Sequence, residues 1–266
     1  YIIDHPDIKF IAFTGSKNIG LRIIERASKI NEEQTDIKTV IAELGGKNAI
    51  IIDEDADMGE AIKGVMDSAF GFQGQKCSAC SRVVVLESIY NEFVERLIEA
   101  VKDIEIGSVE DTKNHIGPII SEQQKVTVLK YIEKAKEEGA LLVEKKTAEK
   151  KGFYVPVSVF EVGDAKNIIA QEEIFGPVLA IMKVKNLDEA LEVANNSEYA
   201  LTGGIYSRSP ENIKKVKNEL EVGNLYINRK ITGAAVHQIP FGGFKMSGIG
   251  AKIGGPDYLL QFMRAH

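Results

Sequence analysis

"KFIAFTGSKNIGLRIIERASKI", residues 9–30, changes its hydrophobic period halfway along. The first part, "KFIAFTGS", is an apolar strand running into a turn; the second, "NIGLRIIERASKI", sets Ile19, Ile23, Ala27 and Ile30 along one helical stripe. The reading is strand, glycine turn, helix.

The alternation continues outward from there. "KTVIAE" and "NAIIID" are short strands flanking Gly45 and Gly46, and "MGEAIKGVMDSAFGF" places Ile62, Val65, Met66, Ala69 and Phe70 at helical spacing. "RVVVLE" is a buried-type strand. "SIYNEFVERLIEAVKDI" repeats Phe93, Leu97, Val101 and Ile104, with Ser88 as the expected N-cap. "SEQQKVTVLKYIEKAKEEG" is a helix closed by Gly139, "ALLVEK" and "VLAIMKV" are strands, and "LDEALEVANNSEY" is a helix. "LTGGIYS", "PENIKKVKNEL" and "GNLYIN" then read strand, helix, strand, with proline near the helix start. Strands separated by helices predict an α/β fold with a mostly parallel sheet covered on both faces.

With 266 residues, 44% hydrophobic and 27% charged, the chain can bury a sizeable core as one large domain or two small ones. No apolar run reaches the ~20 residues a membrane helix needs, and the opening "YIIDHPDIKF" lacks the pattern of a signal peptide. A net charge of −6, a pI near 5.5 and lysines scattered among acids speak against a nucleic-acid partner. Two cysteines are too few for a disulfide scaffold and predict reduced thiols in a cytoplasm. His5, His115, His237 and His266 lie far apart, so Cys77 and Cys80 supply at most half a zinc site, and no metal is expected.

The turns carry the chemistry. In "FTGSKNIG", Gly15, Ser16 and Gly20 lie between a strand and a helix, where free N–H groups can hold a phosphate; a plain turn would have the same pattern. In "ELGGK", Glu43 ends an apolar strand before a diglycine, and shielding from water would raise its pKa toward that of a general base; the alternative is a solvated strand end. "GFQGQKCSACSR", residues 71–82, puts Cys77 after a polar loop, a poor place to bury a structural thiol. A thioredoxin-type pair opens a helix, whereas here a helix precedes the cysteines and a strand follows.

Taken in order, "FTGS", "ELGGKN", "FGFQGQKCSACSR", "QEEIFGPV" and "PFGGFKMSG" resemble the motif series of the NAD(P)-dependent aldehyde dehydrogenase superfamily over nearly the whole chain. "GQKCSACSR", "NRKITGAAV" and "GGPDYL" are most similar to the branch acting on glutamate γ-semialdehyde, the 1-pyrroline-5-carboxylate dehydrogenases of proline metabolism. The resemblance implies a catalytic domain with a mostly parallel sheet flanked by helices, plus part of a Rossmann-like NAD-binding domain. Residues 1–42 would belong to the cofactor domain, 43–246 to the catalytic domain, and 247–266 to a segment returning toward the first.

It further implies Cys77 as nucleophile and Glu43 as base, with Cys80 a bystander. Phe13, Thr14, Gly15, Ser16, Gly20, Leu44, Glu173 and Phe175 would contact NAD. Ser78, Gly233, Ala234 and Phe241 would hold the substrate, three of them at its carboxylate and Phe241 along its chain. Family members carry a further N-terminal segment before "FTGS", with an asparagine donating to the oxyanion, and a C-terminal strand that joins a neighbouring subunit. The expectation is therefore a catalytic portion that acts as a homo-oligomer or with that missing half. A dehydrogenase for another semialdehyde, or a non-catalytic domain serving binding or assembly, remains open.

Overall fold

A computed structural model of the chain describes residues 1–149, 151–235 and 238–263; Val236, His237 and His266, named above, lie outside them. The opening stretch folds as β1 (Phe10–Thr14), α1 (Lys17–Ala27) and β2 (Thr39–Glu43). β1 and β2 pair in parallel with Thr14 opposite Glu43, so the turn after β1 lies beside the end of β2. Gly20, Ile23 and Ala27 are the buried residues of α1, whereas Ile19 is 46% and Ile30 62% exposed. The expected stripe is thus rotated: Gly20 faces Leu44, and the helix stops before Ile30.

The rest of the chain builds a seven-stranded second sheet with its helices, a separate two-stranded ladder and a last strand that joins the first sheet. Its elements are β3 (Asn48–Ile52), α2 (Met58–Ala69), β4 (Cys80–Leu86), α3 (Tyr90–Lys102), α4 (Glu122–Glu138), β5 (Ala140–Lys145), β6 (Val157–Glu161) and α5 (Ile168–Gln171). They continue with β7 (Val178–Val184), α6 (Leu187–Asn195), β8 (Tyr199–Ala200), β9 (Thr202–Tyr206), α7 (Pro210–Glu219), β10 (Asn224–Ile227), β11 (Phe244–Lys245) and β12 (Gly248–Ile249). Among the described residues, seven strands run in the order β10-β9-β3-β4-β7-β6-β5, all parallel except the β5–β6 pair.

Alternation along β3 and β4 explains the layering. Ile51 and Val84 pack with Val128 and Ile132 of α4 and Leu191 of α6, while Ile50, Ile52, Val83 and Val85 pack with Val65 of α2 and Phe93 and Leu97 of α3. Strands buried on both faces read as continuous apolar runs, which is why "NAIIID" and "RVVVLE" carry so little polarity. The last strands return to the first sheet and form a separate two-stranded ladder. β12 pairs antiparallel with β2, Gly248 opposite Glu43, and β11 pairs with β8.

Local signals differ in two places. α3 has Ile89 at its N-cap with no side-chain cap, because Ser88 lies in the turn where Ile89 N donates to Leu86 O at 3.2 Å. Gly139 ends α4 in an extended conformation (φ −142°) that leads straight into β5, so its role there is not a left-handed cap.

Candidate active site

The loop carrying Cys77 is wound unusually tightly. Phe72, Gln73 and Gly74 all have left-handed backbones, φ 57°, 58° and 68°. A Cβ at Gly74 would lie 2.5 Å from Gly176 O, so this position requires glycine on both counts. After the loop Cys77 is half-buried, and its carbonyl accepts Asn48 Nδ2 at 2.8 Å. Asn48 Nδ2 also donates to Ala79 O at 2.8 Å, and Asn48 Oδ1 accepts Thr202 N at 2.9 Å. One buried amide thereby fixes the loop to two strands.

Cys80 is different in kind. It is the first residue of β4, 2% exposed, and burial pushes its thiol up to about 12. It is an inert core residue at neutral pH. Burial also raises Cys77, reinforced by the carboxylates of Glu173 and Glu43 and opposed by the N–H groups of Ser78 and Cys77.

The diglycine permits two close approaches. Gly46 N donates to Glu173 Oε1 at 3.1 Å, and a Cβ on Gly46 would lie 2.5 Å from Cys77 O. Glu173 itself is raised by burial and pulled back by the Gly46 N–H and by Lys47 and Lys17. Beyond it, Phe175 has a left-handed φ of 56°, held where Gln124 Nε2 donates to the carbonyls of Ile174 (2.9 Å) and Phe175 (3.1 Å).

These groups face one cavity of about 910 Å³. Thr14, Gly15, Ser16, Leu44, Cys77, Ser78, Glu173, Phe175, Gly233, Ala234 and Phe241 all line it. Three expected site residues stand behind its wall. Gly20 packs under Leu44, whose Cδ2 would be 2.3 Å from a Cβ there, and the Phe13 ring closes over Gly15. The Glu43 carboxylate is turned toward Gly242, with Oε1 2.9 Å from where a Cβ of Gly242 would stand and Oε2 buried without a hydrogen-bond partner among the described residues. Burial raises its pKa to about 7.

The sequence profile of the aldehyde dehydrogenase family matches residues 1–266. The chain belongs to that family. It is 49% identical to the 1-pyrroline-5-carboxylate dehydrogenase of Anoxybacillus flavithermus over 265 residues, 100% of this chain and 52% of the relative. A solved Thermus 1-pyrroline-5-carboxylate dehydrogenase with bound NAD is 48% identical with a TM-score of 0.95, covering 98% of this chain and 51% of that one. Proline utilization A from Bdellovibrio bacteriovorus is 53% identical, TM-score 0.97, covering 99% and 27%. The chain spans about half the length of the curated relatives it matches.

This aldehyde dehydrogenase chain also places residues at the cavity that motif reading missed. Gln124, Thr127 and Tyr131 form an i, i+3, i+7 stripe of α4 on its wall, and the Tyr131 hydroxyl donates to the Glu172 carboxylate. Polar positions on an amphipathic helix look like a solvent face in sequence, so only the apolar stripe was visible. Asn48 was equally hidden, a single polar residue opening an apolar strand. Among the described residues no group of three His, Cys, Asp or Glu side chains could hold a metal ion, and no helix is long and apolar enough to cross a membrane.

Proposed function

We propose that this chain is the catalytic portion of an NAD-dependent dehydrogenase that oxidises glutamate γ-semialdehyde, the open form of 1-pyrroline-5-carboxylate, to glutamate in proline degradation. The observation that carries the reading is the convergence of the Cys77 thiol, the Glu173 carboxylate and the N-terminal turn of α1 on one cavity. The names of the relatives supply the substrate.

The chain's residues fit a dinucleotide. Gly15 and Ser16 open α1 at the cavity wall, where N–H groups and the helix dipole favour a pyrophosphate. Phe13, Thr14, Gly20 and Leu44 shape that turn, and Glu173 and Phe175 line the same cavity, where they would meet the nicotinamide ribose and ring. NAD, when bound, supplies the hydride acceptor that converts the Cys77 adduct into a thioester.

Cys77 Sγ attacks the aldehyde carbon, and the adduct's oxyanion accepts the Cys77 backbone N–H. A thiol with a raised pKa needs a base to take its proton. Glu43, brought to about 7 by burial, suits that task and the later activation of the water that hydrolyses the thioester; its carboxylate must first turn from Gly242. Ser78, Gly233 and Ala234 offer backbone N–H groups to the substrate carboxylate, and Phe241 packs beside its chain.

In this reading residues 1–42 belong to the cofactor domain, 43–246 to the catalytic domain, and 247–266 return to the first. The enzyme works in the cytoplasm, where both free thiols stay reduced. Its partner is the part of the relatives that this chain does not span, or a second copy, laid over exposed apolar groups such as Ile19 and Leu21. The test is NADH formation from NAD and glutamate semialdehyde, by the chain alone and with the remaining half of a relative, with Cys77→Ala as blank. Turnover that vanishes in the blank and is weaker with propanal supports the reading; a soluble complex that binds NAD without turnover overturns it in favour of a binding or assembly role.

A further inference from the structure

A bulky side chain on a left-handed backbone is strained, and such a residue persists only where its surroundings hold it. Phe175, at φ 56°, is one, and it lies on the cavity wall two residues after Glu173. The bend there brings the Ile174 and Phe175 carbonyls within reach of a single donor: Gln124 Nε2 donates to the first at 2.9 Å and to the second at 3.1 Å. A primary amide has two N–H donors, and both are used here. Among the described residues no other hydrogen bond reaches either carbonyl.

Gln124 is itself fixed, in the first turn of α4. Its backbone N–H donates to the Oγ of the N-cap Ser121 at 3.2 Å, and Ile120 N, one residue earlier, donates to Gln75 Oε1 at 3.0 Å. Gln75 stands two residues before Cys77 and lines the same cavity. One turn further along α4, Val128 shares a core cluster with Ile174, and a Cβ on Gly176 would lie 2.6 Å from Val128 Cγ2. The segment that carries Glu173 and Phe175 is thus pressed onto α4 and tied to it by Gln124. The start of α4 is in turn tied to the nucleophile loop.

We propose that Gln124 is a positioning residue for this wall: by donating to the carbonyls on both sides of Phe175 it keeps the left-handed turn there, and so holds Phe175 and Glu173 on the cavity. Without the two donors, Phe175 relaxes toward the extended region that a phenylalanine ordinarily occupies. The consequence for NAD rests on the function proposed above, but the hold on the turn does not.

The first measurement therefore uses no cofactor. The pair Ile-Phe occurs once in the sequence, at 174–175, so ¹³C at isoleucine carbonyls combined with ¹³C and ¹⁵N in phenylalanine singles out the Phe175 signals by NMR. Their Cα and Cβ shifts report the backbone conformation. Wild type should show left-handed values. Gln124→Met, which keeps the length and loses the donors, should move them toward extended values, and Gln124→Lys, which restores a donor, should stay near wild type. Left-handed shifts kept in folded Gln124→Met overturn the proposal, because Met replaces a side chain that only packs.

If Gln124→Met does not fold, the same change in a Phe175→Gly background decides. Glycine adopts the left-handed region without strain and needs no hold, so the double variant should fold with a urea midpoint close to that of Phe175→Gly. A double variant that also fails to fold overturns the proposal. In the enzyme reconstituted with the remaining half of a relative, Gln124→Met should raise KM for NAD about tenfold with kcat within a few fold, and Gln124→Lys should restore it. Shifts that move as expected with KM for NAD unchanged would support the hold on Phe175 and count against the proposed function's cofactor wall alone.

Discussion

Gly45 and Glu173 leave no room for a methyl group between them: a Cβ on Gly45 would lie 2.2 Å from Glu173 Oε2. The diglycine of "ELGGK" is therefore a matter of close approach, since neither glycine has a positive φ. Gly45→Ala should push the Glu173 carboxylate off the Gly46 N–H. Under the proposed function, NAD affinity measured by fluorescence titration should fall roughly 10- to 100-fold, the worth of a hydrogen bond to a charged group. Affinity within twofold of wild type would separate Glu173 from the cofactor.

The two cysteines should react very differently. Cys77 opens on the cavity and Cys80 is sealed in β4, so iodoacetamide should modify Cys77 in the native protein and Cys80 only after unfolding. Because the Cys77 thiol lies above its ordinary value, its alkylation rate should rise about tenfold per pH unit across the neutral range. Mass spectrometry of the labelled peptides reads both outcomes; equal labelling of the two in the folded chain contradicts the site.

Glu43 gives a pH dependence with a definite sign. Its carboxyl is raised from 4.5 to about 7 in the fold, so between those values the native state holds more proton than the unfolded one. Stability from Glu43 is present below pH 4.5, falls as pH rises through about 7, and is level above. Glu43→Gln should remove that slope from urea midpoints measured across this window. In the reconstituted enzyme it should also cost about 10²–10⁴ in turnover, the span of general base catalysis. A variant with full turnover would assign the base elsewhere.

Asn48→Ala tests the support beneath Cys77. The change strands the buried carbonyls of Cys77 and Ala79 and the N–H of Thr202, at a cost of about 1–3 kcal/mol for each group left unpaired. Urea unfolding should show a loss of several kcal/mol, and the freed loop should make Cys77 alkylate at a changed rate. An unchanged midpoint would show that other contacts hold the loop.

Much of the layered fold is legible because its period is local. "NAIIID" and "RVVVLE" announce strands buried on two faces, and Phe93, Leu97 and Val101 announce the helix that covers them. β6 is not legible: Pro156 precedes "VSVFE", and five residues after a proline turn look like loop. Ile19 misleads because Gly20, with no side chain to count, is the residue that packs on Leu44. At the cavity, glycines and cysteines advertise themselves by type. Asn48 and the Gln124–Thr127–Tyr131 stripe do not, because their partners are distant in sequence.

The substrate anchor proposed at Gly233 and Ala234 is open to a direct test. Gly233 has φ 82° with nothing within 4 Å of where its Cβ would stand, and Ala234 follows it on the cavity wall. That bend leaves room for an anion beside the backbone, so an acidic side chain at Ala234 should repel a carboxylate while leaving Cys77 untouched. For Ala234→Glu in the reconstituted enzyme, kcat/KM for glutamate semialdehyde should fall by about 10²-fold, and that for propanal should stay within a few fold, because only the first substrate brings a like charge to the site. Equal damage to both would mean that the loop supports the nucleophile instead of choosing the substrate, and the anchor would have to be sought elsewhere on the wall.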